Sequence, residues 1–149
     1  MSINNLNYTA SGEALTENFE SCRLIPYQDI NGIWTNGYGN THNVVPGVAI
    51  TQEQANADLV TNAQWAVSVV NNLVTVVLNQ DEFNALVDFV FNCGSGNFES
   101  STLLRDLNNG AFEKVAADFE MWDRASGDVC AGLLRRRVAE ANEFNGTTT

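Results

Sequence analysis

The stretch Gln80–Cys93, QDEFNALVDFVFNC, limits the possible folds more than any other part of the chain. Phe83, Leu86, Val87, Val90 and Phe91 recur at helical spacing. Ala85 and Phe89 then widen the stripe until a helix drawn through these residues has almost no polar side. A helix of that kind has to be surrounded by other elements. The expectation is a helical core built around residues 83–91. Asn79, with Glu82 three residues later, caps its start, and Gly94 and Gly96 end it.

The rest of the chain supplies the surroundings. SSTLLRDLNNG reads as a short helix running from a serine cap to Gly110. Phe112, Val115, Ala116, Phe119 and Trp122 mark another, and GLLRRRVAEANEF a last one before a frayed NGTTT tail. Upstream, the capping box TQEQ opens a run in which Ala55, Leu59, Ala63, Ala66, Val67 and Val70 recur every three or four residues. With no Pro or Gly inside it, this run predicts one long amphipathic helix. Arg23 to Asn40 is different. Pro26 confines a first strand to an edge, Asn31-Gly32 signals a hairpin, and THNVVPGVAI reads as a loop or a third short strand. Before it, Ser11 caps a first helix ending at Glu20, and the polar residues 1–10 form a loose lead-in.

The class is therefore α+β, mainly α, in one domain covering 1–149. A small β-containing lobe lies at about 21–50 and a connecting helix at about 51–72. A helical lobe spans about 73–149 and takes in the first helix, about 11–20. Eighteen acids against seven bases give a net charge of −11, which opposes nucleic acid as a partner. No apolar run reaches the roughly 20 residues of a membrane span, so membrane insertion is not expected. The first residues carry neither a basic nor an apolar leader segment, which suggests residence in the cytoplasm. Cys22, Cys93 and Cys130 are widely spaced and His42 is the single histidine. That pattern predicts free thiols, at most one disulfide, no metal site and no cofactor.

FESCRLIPYQDINGIWTNGYGN places two carboxylates and a hydroxyl, Glu20, Asp29 and Thr35, around the hairpin. Paired carboxyl groups suit acid–base hydrolysis. One, kept protonated by apolar surroundings, donates to a leaving oxygen, while the other, ionised and more exposed, handles a water. Cooperation between Asp29 and Thr35 sets a geometric condition. A two-residue Asn31-Gly32 loop would put them on opposite faces. A three-residue Ile30-Asn31-Gly32 loop with Gly32 left-handed would pair Asp29 with Ile33 and put both on one face. The second arrangement is the expectation.

FESCRLIPYQDINGIWTNGYGNT, LNQDEFNALVDFVFNCGSGNFESSTLLRDLN and FEMWDRASGDVCAGLLRRRVAEANEF together resemble the phage-type lysozymes, or endolysins, of glycoside hydrolase family 24. The resemblance runs from about residue 11 to 144. It implies a two-lobed lysozyme-like fold with a peptidoglycan cleft. The implied activity is hydrolysis of the β-1,4 bond between N-acetylmuramic acid and N-acetylglucosamine. Glu20 falls on the general acid, Asp29 on the carboxylate that works with water, and Thr35 on the third member. It further implies a monomer that stays in the host cytoplasm until a holin-like, membrane-permeabilising partner releases it to the wall. Two positions depart from the usual pattern. Ser21 replaces a glycine, and Asn40 stands where many members carry a supporting histidine, with His42 two residues on. A catalytically silent glycan-binding module on the same fold is the competing reading, and the intact trio argues against it.

Four further residues are substrate-binding candidates. Tyr27 and Trp34 could stack on sugar rings, although strand alternation equally makes them core. Asn92 and Ser101 flank the turn that resembles the family's substrate edge, where helix capping is the plainer role. Arg135, Arg136 and Arg137 cannot share one environment on a helix. Taking Leu134, Val138 and Ala141 as the apolar direction places Arg137 inward, as a supporting residue on the cleft side, and Arg136 outward.

Overall fold

The computed structural model describes residues 2–125 and 127–147, the side chain of Ala125 excepted. In chain order the elements are helix α1 (Ala10–Phe19), strands β1 (Arg23–Gln28) and β2 (Trp34–Gly37), and helices α2 (Gln52–Asn62), α3 (Gln64–Leu73) and α4 (Gln80–Cys93). Then come α5 (Ser95–Glu99), α6 (Thr102–Asn108), a 3₁₀ turn (Phe112–Lys114), α7 (Val115–Glu120), the short strands β3 (Arg124–Ala125) and β4 (Asp128–Val129), and α8 (Ala131–Phe144). The chain divides into two units, Thr16–Gln64 and a discontinuous one made of Met1–Leu15 with Trp65–Thr149.

In the discontinuous unit α4 is the centre, as its all-round apolarity requires. Every residue from Phe83 to Val90 is buried. Phe89 receives the edges of Phe98, Phe119 and Trp122 with ring centroids 5.7–6.2 Å apart. Phe144 of α8 closes the cluster against Phe119 and Phe112. Asn79 and Glu82 form the expected reciprocal capping box. Helix α1 approaches α4 so closely that a methyl group on Gly12 would sit 2.8 Å from Asn84 Cγ and 2.7 Å from the Tyr8 ring.

Several expectations fail here for tertiary reasons. The lead-in is anchored. Asn4 is buried and its amide donates to the Val76 carbonyl (2.8 Å) while accepting from the Leu78 amide (2.9 Å), and Tyr8 is also buried. Ser11 lies inside α1, and its hydroxyl donates to Glu143 (2.7 Å) instead of capping the helix. Residues 145–147 continue as a cap, the Thr147 amide donating to the Asn142 carbonyl (2.8 Å); the last two residues of the expected frayed tail lie outside the described residues.

Helix α8 buries Arg137 as expected but overturns the outward placement of Arg136. Both Arg136 and Arg137 are buried, whereas Val138 is 37% exposed. Arg136 forms a fork on Asp88 of α4, with Nε–Oδ2 at 3.0 Å and Nη2–Oδ1 at 2.8 Å. Arg137 contacts Glu140 (2.8 Å), Asn92 (2.8 Å) and the Cys93 sulfur (2.7 Å). Two cations and two carboxylates thus lie together in the interior. A polar stripe on α8 faces a buried acid on α4, so apolar phase alone misplaced the helix. Burial and the neighbouring Asp88 push Glu140 well above the usual carboxylate range, against the pull of Arg137 and Arg136.

In the unit Thr16–Gln64, β1 and β2 form an antiparallel hairpin, and the α2 helix packs on β2. The run expected as one connecting helix is broken. Helix α2 ends at Asn62, capped by Ala63, and α3 starts at Gln64. Thr51 caps α2 through its hydroxyl, but the Gln54 side chain donates to Asp58 and does not complete a capping box. THNVVPGVAI is a loop.

Candidate active site

The hairpin carries two of the three expected site residues. Tyr27 pairs with Thr35 and Gln28 with Trp34, and the Asp29 amide donates to the Ile33 carbonyl at 2.9 Å. Residues 30–32 are therefore a three-residue loop. It is closed by the Gly32 amide on the Asp29 carbonyl (2.9 Å), with Gly32 at φ +79°, a conformation that disfavours any side chain. In this register Tyr27, Asp29, Ile33 and Thr35 share one face. The condition set by the sequence is met.

The loop also fixes the Asp29 carboxylate. Its Oδ1 accepts from the amides of Asn31 (2.8 Å) and Ile33 (2.9 Å). Its Oδ2 has no hydrogen-bond partner among the described residues. Thr35 is 3% exposed, and its hydroxyl donates to the Ile33 carbonyl at 2.9 Å. The donor of Thr35 is thus spent and its lone pairs remain. Glu20 follows the end of α1, half-buried, with its amide still donating to the Thr16 carbonyl (2.9 Å).

The aromatic candidates separate. Tyr27 is half-buried on the Asp29 face, and the Arg23 guanidinium covers its ring at 4.1 Å. Trp34 is 38% exposed and pairs with Gln28, so the register turns it to the reverse face, away from Asp29 and Thr35. Asn40, at the position of the family's histidine, is buried in an amide network with Asn36, His42 and Asn62.

In the other unit Asn92 accepts from Arg137, which holds it at the end of α4. Ser101 is the N-cap of α6, accepting from the Leu104 amide (3.0 Å) and donating to the Phe98 carbonyl (2.7 Å). It also lines a cavity of about 270 Å³ together with Ser100, Thr102, Met121, Trp122 and Asp118. Asp118 escaped the sequence reading. It is 6% exposed, and its pKa is pushed up to about 6, by burial first and then by a hydrogen bond and like charge from Asp106. An aspartate inside the Phe112–Trp122 helical stripe was the available signal. All three cysteines are free and half-buried.

The phage lysozyme family profile matches residues 17–140. The chain belongs to the phage lysozyme family. Among its relatives, the endolysin of Acyrthosiphon pisum secondary endosymbiont phage 1 is 37% identical over 143 residues, covering 93% of this chain and 98% of that protein. The Bacillus phage B103 endolysin is also 37% identical, over 93% of this chain, which spans only 54% of that longer protein. A crystal structure of a P22 lysozyme mutant superimposes with a TM-score of 0.89 at 33% identity, over 95% of this chain and 99% of that one. The fold is thus the α+β lysozyme fold of that family.

Proposed function

We propose that this member of the phage lysozyme family is a muramidase that hydrolyses the β-1,4 bond between N-acetylmuramic acid and N-acetylglucosamine in peptidoglycan. Glu20 is the general acid and protonates the leaving glycosidic oxygen. Asp29 and Thr35 handle the water. Diagonal neighbours on an antiparallel pair lie about 7–8 Å apart, their Cβ atoms somewhat closer, which leaves room for one water between their polar atoms. That water donates one hydrogen to Thr35, whose own proton is already committed to the Ile33 carbonyl. Its other hydrogen goes to Asp29 Oδ2, since Oδ1 is held by the loop amides. The water oxygen then attacks the anomeric carbon and its proton passes to Asp29, while Glu20 completes the alcohol that leaves.

The observation that supports this reading is the three-residue loop, which puts two acceptors on one face of the hairpin. The substrate places the site of action in the cell wall. The proposal includes a monomer that waits in the host cytoplasm for a separate membrane-permeabilising protein. Its test is clearing of a purified peptidoglycan suspension by the wild type and by Glu20→Gln. Clearing by the wild type with loss of at least about 100-fold in the variant is expected. Equal clearing by both, or none by the wild type, overturns the assignment.

A further inference from the structure

A second cavity, of about 260 Å³, lies in the unit Thr16–Gln64 and takes no part in the chemistry above. Asn36 lines it and follows Thr35 directly in β2, so strand alternation turns its side chain to the face opposite Thr35. We infer that this cavity is a second carbohydrate site, shaped for a single neutral ring that carries an acetamido group beside hydroxyls.

The orientation of one amide sets the chemistry. The Asn40 side chain brackets the backbone of His42, its Nδ2 donating to the His42 carbonyl (2.9 Å) and its Oδ1 accepting from the His42 amide (3.3 Å). With Asn40 fixed in that sense, the same Nδ2 donates to Asn36 Oδ1 (2.9 Å), and the same Oδ1 accepts from Asn62 Nδ2 (3.1 Å). Two groups are left over. Asn36 Nδ2 is a donor and Asn62 Oδ1 an acceptor, and neither has a hydrogen-bond partner among the described residues. Asn36 is only 3% exposed. Its free donor therefore meets solvent only through the cavity, where a ligand carbonyl can take the place of water.

The lining decides what kind of partner. It contains no Lys or Arg, and its one carboxylate is Asp58, with Oδ1 already accepting from Gln54 (2.8 Å). Apart from the His42 imidazole an anion finds no cationic group there, and a divalent cation finds too few hard ligands. A neutral ligand with both donors and acceptors remains. An acetamido group presents a carbonyl to Asn36 Nδ2 and an N–H to Asn62 Oδ1. Ring hydroxyls can donate to Asp58 Oδ2. Ile50 is the one apolar side chain in the lining and gives the acetyl methyl its contact. The volume lies just below the roughly 300 Å³ at which pockets for larger organic ligands begin, which suits one ring and not an extended chain.

The inference rests on the muramidase reading for its choice of sugar, because N-acetylhexosamine is the repeating ring of that substrate. A second site on the reverse of the hairpin would tether the enzyme to a glycan strand without occupying the reacting face. The test uses amide chemical-shift titration of the Glu20→Gln protein with N-acetylglucosamine, its tetrasaccharide and, as a control, glucose. Shifts at Asn36, Asp58 and Asn62 with both acetamido sugars are expected, with binding at least about tenfold weaker for glucose. Thr61→Trp, made on an exposed helical position at the cavity rim, should abolish those shifts while leaving thermal unfolding unchanged. In the otherwise wild-type enzyme it should slow clearing of insoluble peptidoglycan several-fold and leave cleavage of a short soluble substrate intact. Absence of shifts, shifts confined to Tyr27, Asp29 and Thr35, or equal binding of glucose would each overturn the inference. None of those results bears on the Glu20→Gln clearing assay, so the two readings fail separately.

Discussion

Asp118 should make the stability of this lysozyme fall as the pH rises through the mildly acidic range. Its pKa is 3.8 when unperturbed and about 6 in the folded chain. The largest cause is burial, reinforced by the hydrogen bond and charge of Asp106, with Lys114 and Arg105 opposing. A carboxyl whose folded pKa is raised adds stability that is fully present below its unfolded pKa and lost as pH rises through the folded one. The window is therefore about pH 4 to 6. At 1.36 kcal/mol per pH unit the full shift corresponds to at most about 3 kcal/mol. Asp118 lines an open cavity, and water there softens the penalty, so a loss of about 1–3 kcal/mol is expected. Urea unfolding at pH steps from 3.5 to 7.5, run in parallel on the wild type and Asp118→Asn, isolates the term. Asparagine keeps a donor for Asp106 and removes the ionisation. The wild type should lose stability relative to the variant as the pH rises, most steeply near pH 5 to 6. A flat difference, or one of opposite slope, would refute the argument that burial of this carboxyl is costly.

Asp29→Asn keeps the Oδ1 acceptor for the Asn31 and Ile33 amides, so it should change stability by less than about 0.5 kcal/mol yet cut wall clearing at least about 100-fold. Asp29→Ala should in addition lose about 1–3 kcal/mol in urea unfolding; if the two variants match in stability, the carboxylate does not hold the loop. Arg136→Ala strands the buried Asp88 and should cost about 3–5 kcal/mol, whereas Val138→Ala on the outer side of α8 should cost under about 1 kcal/mol. Comparable losses in both would mean that α8 is turned differently. With a net charge of −11 facing an anionic wall, lysis should be fastest at moderate to high salt, where the Debye length is about 8 Å or less. A lytic rate that climbs steadily as salt is removed would contradict this.

Much of the fold was readable because its signals are local. The Asn79–Glu82 box, the Ser101 cap and the left-handed Gly32 depend on residues a few positions apart, and each sits where its sequence placed it. The same holds for the hairpin register, because loop length and one glycine fix which residues share a face. What escaped was set by partners distant in sequence. Arg136 is buried because Asp88, 48 positions away, sits on the inner side of α4, and no periodicity within α8 records that. Asn4 and Ser11 look like lead-in and cap until Leu78 and Glu143 claim them. The break at Ala63 leaves no Pro or Gly to announce it.

The sequence by itself therefore determined the class of fold, the helical core around α4, and the face shared by Asp29 and Thr35, since hydrophobic period and turn chemistry act over a few residues. Tertiary structure alone decided that Arg136 faces inward beside Arg137, which carboxyl resists ionisation, and which asparagine amide has no protein partner on the back of the hairpin. Those outcomes depend on desolvation and on hydrogen-bond partners brought together from far along the chain, and neither quantity exists until the chain has folded.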